Sequence, residues 1–195
     1  MTDPLIEEID GSTPLTEEER EQLIPSYITL RRELNEAEQA NILDAESWAF
    51  GRKRDVLNER FLTDLHNRMF GRVWRWAGSY RRSQKNVGID AYRIPVNLRQ
   101  LTEDCRYWIE HETYSPDEIA TRFHHRLVAI HPFPNGNGRH ARLATDLLLT
   151  KLGQERFSWG QVNLVDASET RDTYINALRA ADRHDYAPLL AFVRS

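Results

Sequence analysis

Cysteine is nearly missing from this chain: Cys105 is the lone one among 195 residues. An internal disulfide is therefore excluded. The thiol, with Leu101, Trp108 and Ile109 as its helical neighbours, is expected in a core rather than at a nucleophilic site. No apolar run approaches the roughly 20 residues that cross a bilayer, so no membrane partner is expected. The first residues lack a basic segment followed by an apolar one; no secretory signal is read, and a reducing, cytoplasmic setting is the expectation. Internal repeats and low-complexity tracts are missing too. So is a His-Glu-x-x-His pair, although His124, His125, His131 and His140 lie near one another in sequence. On a helix the adjacent His124 and His125 point about 100° apart, so the histidines predict no structural zinc.

What remains is an ordinary soluble composition, 40% hydrophobic and 29% charged, which points to one globular domain with a short appendage. The boundary is expected near residue 54, with an acidic segment and helices over 1–54 packing on a main domain over 55–195. The formal charge of −4 is uneven. Asp3, Glu7, Glu8, Asp10, Glu17, Glu18, Glu19 and Glu21 face only Arg20 in the first 21 residues, which leaves the body mildly cationic. That balance suits phosphorylated ligands without requiring long nucleic acid. The run Phe70-Gly-Arg-Val-Trp-Arg-Trp-Ala-Gly-Ser-Tyr-Arg-Arg82 interleaves rings with arginines, a pattern that can bind single strands. Burial of Trp74 and Trp76 with the arginines facing water explains it equally, so nucleic acid is not the expected partner.

Helix signals dominate. Thr16-Glu-Glu-Glu19 reads as a capping box. Residues 35–54 carry Ile42, Ala45 and Ala49 at helical spacing, and Phe61, Leu62, Leu65, Met69 and Phe70 form a stripe that stops at Gly71. Asn97 to Gln100 is expected to cap a helix bearing Leu98, Leu101 and Cys105. Ser115-Pro-Asp-Glu118 supplies a cap, a proline at the first helical position and an acidic first turn. Its helix runs into His131. Another helix follows the glycines and stops at Gly153, and two more are expected at about 168–182 and 186–194. Strand signals occur in one place: Val87-Gly88-Ile89 and Tyr92-Arg-Ile-Pro-Val96 flank Asp90-Ala91, which predicts a short hairpin. The expected architecture is all-α, with one hairpin projecting from a helical bundle.

The segment His131-Pro-Phe-Pro-Asn-Gly-Asn-Gly-Arg139-His-Ala-Arg142 carries the chemistry. A glycine-rich turn that opens a helix offers unpaired N–H groups and the positive end of a dipole to an anion. Gly136 and Gly138 permit positive φ and close approach of a ligand, and Asn137 can brace the turn. Arg139 and Arg142 stand one helical turn apart and can reach further phosphates. His131 at the lip is the natural general base. Phe133 is expected to anchor the turn in the core.

This string resembles the signature of the Fic (filamentation-induced-by-cAMP)/Doc family, His-x-Phe-x-Asp/Glu-Gly-Asn-Gly-Arg-x-x-Arg. Trp76-Ala-Gly-Ser-Tyr-Arg81, the hairpin and Tyr174-Ile-Asn-Ala-Leu resemble further Fic features, so the likeness covers roughly 55–192. Leu34-Asn-Glu-Ala-Glu-Gln39 makes the whole chain similar to the subgroup called mobile mystery protein B. The resemblance implies a Fic-type helical bundle with a hairpin flap and transfer of AMP from ATP to a Ser, Thr or Tyr hydroxyl of a target protein. His131 would be the base. Gly136, Asn137 and Gly138 would cradle the phosphates, Arg139 and Arg142 would hold the β and γ groups, and Tyr174 would border the nucleoside or sit in the core. Val87, Gly88 and Ile89 would dock the target segment by strand pairing. The family places an acidic ligand for Mg²⁺ (or Mn²⁺) at the position of Asn135, which coordinates without charge. The alternatives are therefore a nucleotide-binding module with little catalysis, or a variant using another nucleotide. Gly138 stands where the Doc-like kinases carry lysine. Many Fic proteins are inhibited by Ser/Thr-x-x-x-Glu-Gly/Asn, and Thr29-Leu-Arg-Arg-Glu33-Leu34 half-matches it, which makes Glu33 a candidate brake. The subgroup implies instead a separately encoded helix-turn-helix regulator.

Overall fold

The computed structural model describes residues 14–160 and 167–195. Asp3, Glu7, Glu8 and Asp10 of the acidic start lie outside the described residues. The helices are α1 (Glu17–Arg20), α2 (Arg31–Phe50), α3 (Glu59–Phe70), α4 (Ile94–Glu110), α5 (Pro116–Ile130), α6 (Asn137–Lys151), α7 (Ala167–Ala181) and α8 (Ala187–Arg194).

Local chemistry sets their ends. At α1 the Thr16 hydroxyl accepts from the Glu19 N–H at 3.3 Å, and Glu19 Oε2 accepts from the Thr16 N–H at 2.8 Å. The Asn58 side chain accepts from Arg60 and Phe61 at the start of α3. Ser115 caps α5 through the Glu118 N–H, with Pro116 in its first turn. Each such cap stabilises its helix by about 1 kcal/mol.

Packing places α6 at the centre. Ala141 and Leu143 through Leu149 are all buried, and a helix buried all round belongs inside a fold. Its closest partner is α5, while α2 packs on α3, α4 on α5, and α7 on α8. One apolar cluster joins Leu62, Met69 and Phe70 of α3 to Leu101 of α4, Phe123 of α5 and Leu148 of α6. A second joins Ala120 and Leu149 to Tyr174, Leu189 and Phe192. The α5–α6 pair is thus the shared wall of both clusters, and the loop between them is held from two sides. Cys105 is fully buried, and burial pushes its thiol up to about 12.

The predicted hairpin does not form. Among the described residues there is no β-strand; an isolated antiparallel bridge pairs Leu23 with Trp74. Residues 82–90 form an irregular loop, Ala91–Arg93 make a single 3₁₀ turn, and α4 already begins at Ile94. Pro95 explains the difference. It lies in the first turn of α4, where its missing N–H is no loss. Ile94, Leu98 and Leu101, all fully buried, then continue one helical face. Strand pairing of 92–96 would have exposed that face.

Candidate active site

The site lies where α5 ends and α6 begins. α5 stops at His131, which adopts a left-handed conformation (φ 53°, ψ 62°). α6 is capped by Gly136 with φ 77°, and no side chain closes its N-terminus. The first-turn N–H groups of Asn137, Gly138 and Arg139 therefore have no acceptor within the helix, and they sit at the positive end of its dipole.

The loop between them is braced from within. The Asn137 side chain accepts from the Phe133 N–H at 2.9 Å and donates to the Phe133 carbonyl at 2.8 Å. The Phe133 ring is fully buried and stacks on His66 with centroids 3.7 Å apart, a burial that contributes about 2–3 kcal/mol. His66 was invisible as a site residue in the sequence. Its Nδ1 accepts from the Gly78 N–H at 2.9 Å. Its Nε2 consequently carries the proton and donates to the Asn135 carbonyl at 3.0 Å. Gly136 is required twice over: a Cβ there would lie 2.6 Å from the Phe70 ring, and φ is positive. At Gly138 a Cβ would meet nothing within 4 Å. The protein itself does not demand glycine there, whereas a ligand on the backbone would.

His131 is buried, and burial first, then the charges of Arg81 and Lys85, pull its pKa down to about 4, against a hydrogen bond with the Val128 carbonyl. At neutral pH the imidazole is uncharged. The ring N–H donates to that carbonyl, and the other ring nitrogen keeps its lone pair.

The loop 82–90 lies against this histidine. Gly88 (φ 98°) is so close that a Cβ there would be 2.6 Å from the His131 Cβ. Arg81, which closes the Trp76–Arg81 stretch but has no role assigned from the sequence, fastens the two together. Its Nε donates to the His131 carbonyl at 2.7 Å, one terminal nitrogen donates to Ser83 O at 3.0 Å, and the other to Ile89 O. Its own N–H donates to Pro132 O at 2.9 Å. From outside, α1 grips the same loop through a nearly dry ion pair, Lys85 Nζ to Glu19 Oε2 at 2.5 Å, and through Ser83 Oγ to Glu19 Oε1 at 2.8 Å. Val87, Gly88 and Ile89 therefore border the site, as irregular backbone rather than as a strand.

The two arginines differ. Arg139 pairs with Glu38 of α2 at 2.7 Å and lies over the Phe70 ring. Glu38 is buried, and its other oxygen accepts from Trp74 Nε1 at 2.7 Å. Arg142 is half-buried among rings, 5.0 Å from the Tyr174 centroid and 5.9 Å from that of Trp159. Glu33, the candidate brake, reaches neither arginine. Its carboxylate accepts from the N–H groups of Thr29 and Leu30 at the start of α2. Glu38 lies within the Leu34–Gln39 stretch, but nothing in that stretch marks it as the partner of Arg139, 101 residues away.

A metal fits this donor set poorly. Asn135 offers one neutral oxygen, already accepting from the Gly136 N–H at 2.6 Å, and among the described residues no group of three His, Cys, Asp or Glu could hold an ion.

Residues 56–149 match the Fic/DOC family. Over 136 residues the chain is 31% identical to the protein adenylyltransferase Fic of Drosophila melanogaster, and over 145 residues 29% identical to that of Aedes aegypti. These matches cover 68% and 72% of the chain, yet only 26% and 28% of those proteins, so the chain spans about a quarter of their length. Among solved structures, the BepC protein of Bartonella tribocorum with bound AMPPNP superposes with a TM-score of 0.70 at 16% identity, over 92% of this chain and 97% of that one. A Bartonella quintana Fic domain with bound ADP gives a TM-score of 0.68 at 17% identity, over 87% and 86%. Fic-1 of C. elegans gives 0.67 at 22%, over 88% and 50%. These three share the fold.

Proposed function

Taking residues 56–149 as a Fic/DOC family domain, we propose that the chain transfers AMP from ATP to a Ser, Thr or Tyr hydroxyl of a target protein. One observation carries this reading: a buried, neutral imidazole stands at the lip of an uncapped helix N-terminus. The bound AMPPNP and ADP of the two Bartonella domains support a nucleotide as the ligand.

In this mechanism the N–H groups of Asn137, Gly138 and Arg139 receive phosphate oxygens, and Arg139 and Arg142 hold the β and γ groups. The ring nitrogen of His131 that carries no proton takes the proton of the target hydroxyl as its oxygen bonds to the α-phosphorus. The bond from the α-phosphorus to the bridging oxygen breaks, and pyrophosphate leaves with that oxygen. Alignment and charge neutralisation supply most of the acceleration in such transfers. Loop 82–90, fastened over His131 by Arg81, presents Val87, Gly88 and Ile89 to the target segment. Because Asn135 brings no charge, no step is assigned to a metal.

The neutral, occupied Asn135 oxygen favours a second reading, a nucleotide-binding module with little transfer. The mobile mystery protein B likeness of Leu34–Gln39 adds the proposal of a helix-turn-helix partner made by a separate gene. Incubation with α-labelled ATP, Mg²⁺ or Mn²⁺ and a lysate separates the first two. Label on protein with the wild-type chain and none with His131→Ala supports transfer. ATP binding without label in any condition supports the module.

A further inference from the structure

We propose that Tyr174 is a positioning residue for Arg142: a hydrogen-bonded chain from Thr145 through His124 fixes the phenol oxygen as an acceptor that steers the guanidinium toward the triphosphate. This rests on the nucleotide reading above, which gives Arg142 the outer phosphates.

The direction of every proton in the chain follows from its far end. The Thr145 hydroxyl donates to the Ala141 carbonyl at 2.7 Å, so its proton is committed. Its lone pairs face His124 Nδ1 at 3.5 Å, and the Ala141 carbonyl, which can only accept, also hydrogen-bonds this ring, which places the ring proton on Nδ1. His124 Nε2 is then a bare lone pair, 2.8 Å from the Tyr174 hydroxyl, and the phenol proton points at it. What the phenol oxygen has left is acceptor capacity, and the cation beside it is Arg142, 5.0 Å from the ring centre. The chain cannot relax by moving a proton. His124 is fully buried, and burial with the charge of Arg142 pushes its pKa down to about 3. Burial pushes the Tyr174 phenol up to about 12. Both groups stay neutral over the whole working range of pH.

Arg142 has need of such a guide. Its Nε is buried with no hydrogen-bond partner among the described residues. Its other neighbour is the Trp159 ring, itself held by Nε1 donating to Asp146 at 3.1 Å. Arg139, by contrast, is oriented by a carboxylate. A phenol oxygen directs an arginine without neutralising it, so the full charge remains for phosphate.

The experiment is calorimetric titration of ATP and of AMP into the whole chain and into Tyr174→Phe. AMP lacks the β and γ phosphates, so it reads the nucleoside contacts alone. The wild type is expected to bind both. In Tyr174→Phe the Kd for ATP should rise roughly 10-fold, the scale of a lost hydrogen bond to a charged group, with the Kd for AMP changing less than about twofold. Equal weakening of ATP and AMP would mean that the tyrosine borders the nucleoside, and unchanged ATP binding that it only fills the core; either overturns the proposal. Binding of neither nucleotide by the wild type would overturn the nucleotide reading itself, a result that equal weakening cannot mimic. Should Tyr174→Phe not fold, His124→Leu removes the acceptor of the Tyr174 hydroxyl proton at similar volume, so that the phenol is no longer held as an acceptor for Arg142. It should weaken ATP selectively, and unchanged ATP binding in that variant would overturn the proposal too.

Discussion

Acidification should unfold this protein unusually early, because four histidines are buried without charge. His66, His124 and His140 are fully buried and His131 nearly so. Burial lowers all four from 6.5: His124 to about 3, His131 and His140 to about 4, and His66 well below its ordinary value. The sign follows from which state binds protons. Below pH 6.5 the unfolded imidazoles charge while the folded ones cannot, so stability falls as pH falls and goes on falling until the folded pKa is reached. Each such group costs about 1.4 kcal/mol per pH unit in that window. Between pH 7 and pH 5 one histidine removes roughly 1.8 kcal/mol, and the three with values near 3 and 4 together roughly 5 kcal/mol. His66 adds to this in the same direction. A domain commonly has only about 5–15 kcal/mol in total, so unfolding should set in around pH 5. Urea denaturation followed by tryptophan fluorescence at pH 7, 6 and 5 measures the slope. His131→Ala should reduce the loss between pH 6 and 5 by about 1.2 kcal/mol. A stability at pH 5 within about 1 kcal/mol of that at pH 7 would refute the reasoning.

Three further outcomes follow from the geometry. Glu38→Gln should tighten ATP binding several-fold in titration, because phosphate no longer competes with a carboxylate for Arg139; Trp74 can still donate to the amide oxygen. Asn135→Asp should make label transfer from ATP faster and more steeply dependent on Mg²⁺, since it restores a charged hard ligand; an unaltered Mg²⁺ titration would count against that role. Gly88→Ala, whose Cβ would collide with that of His131, should slow label transfer to the target while leaving the Kd for ATP unchanged.

Much of the fold was legible because the signals were local. Thr16 with Glu19, and Ser115 with Pro116, are caps within one turn of sequence, and α1 and α5 start where they say. The turn from His131 to Gly138 was legible for the same reason. The expected hairpin gives way to a helix because Val87–Ile89 and Tyr92–Val96 alternate over too few residues to outweigh a helical face that runs from Ile94 to Cys105, and Pro95 suits the first turn of that helix. The side chains that hold the site were harder to see. Arg81 acts on backbone carbonyls 50 residues away, and any residue type can supply a carbonyl. Glu38, His66 and His124 find their partners only once the helices have packed, and nothing in their spacing says so.

In the proposed mechanism triphosphate oxygens rest on the backbone at the start of α6, and Gly138→Ala probes that contact. The added methyl meets no protein atom within 4 Å, and alanine favours a helix over glycine, so the melting temperature should hold or rise. The same methyl would stand where the phosphates approach, so the Kd for ATP should rise by about 10-fold or more. A stable Gly138→Ala protein that binds ATP as tightly as the wild type would contradict the account.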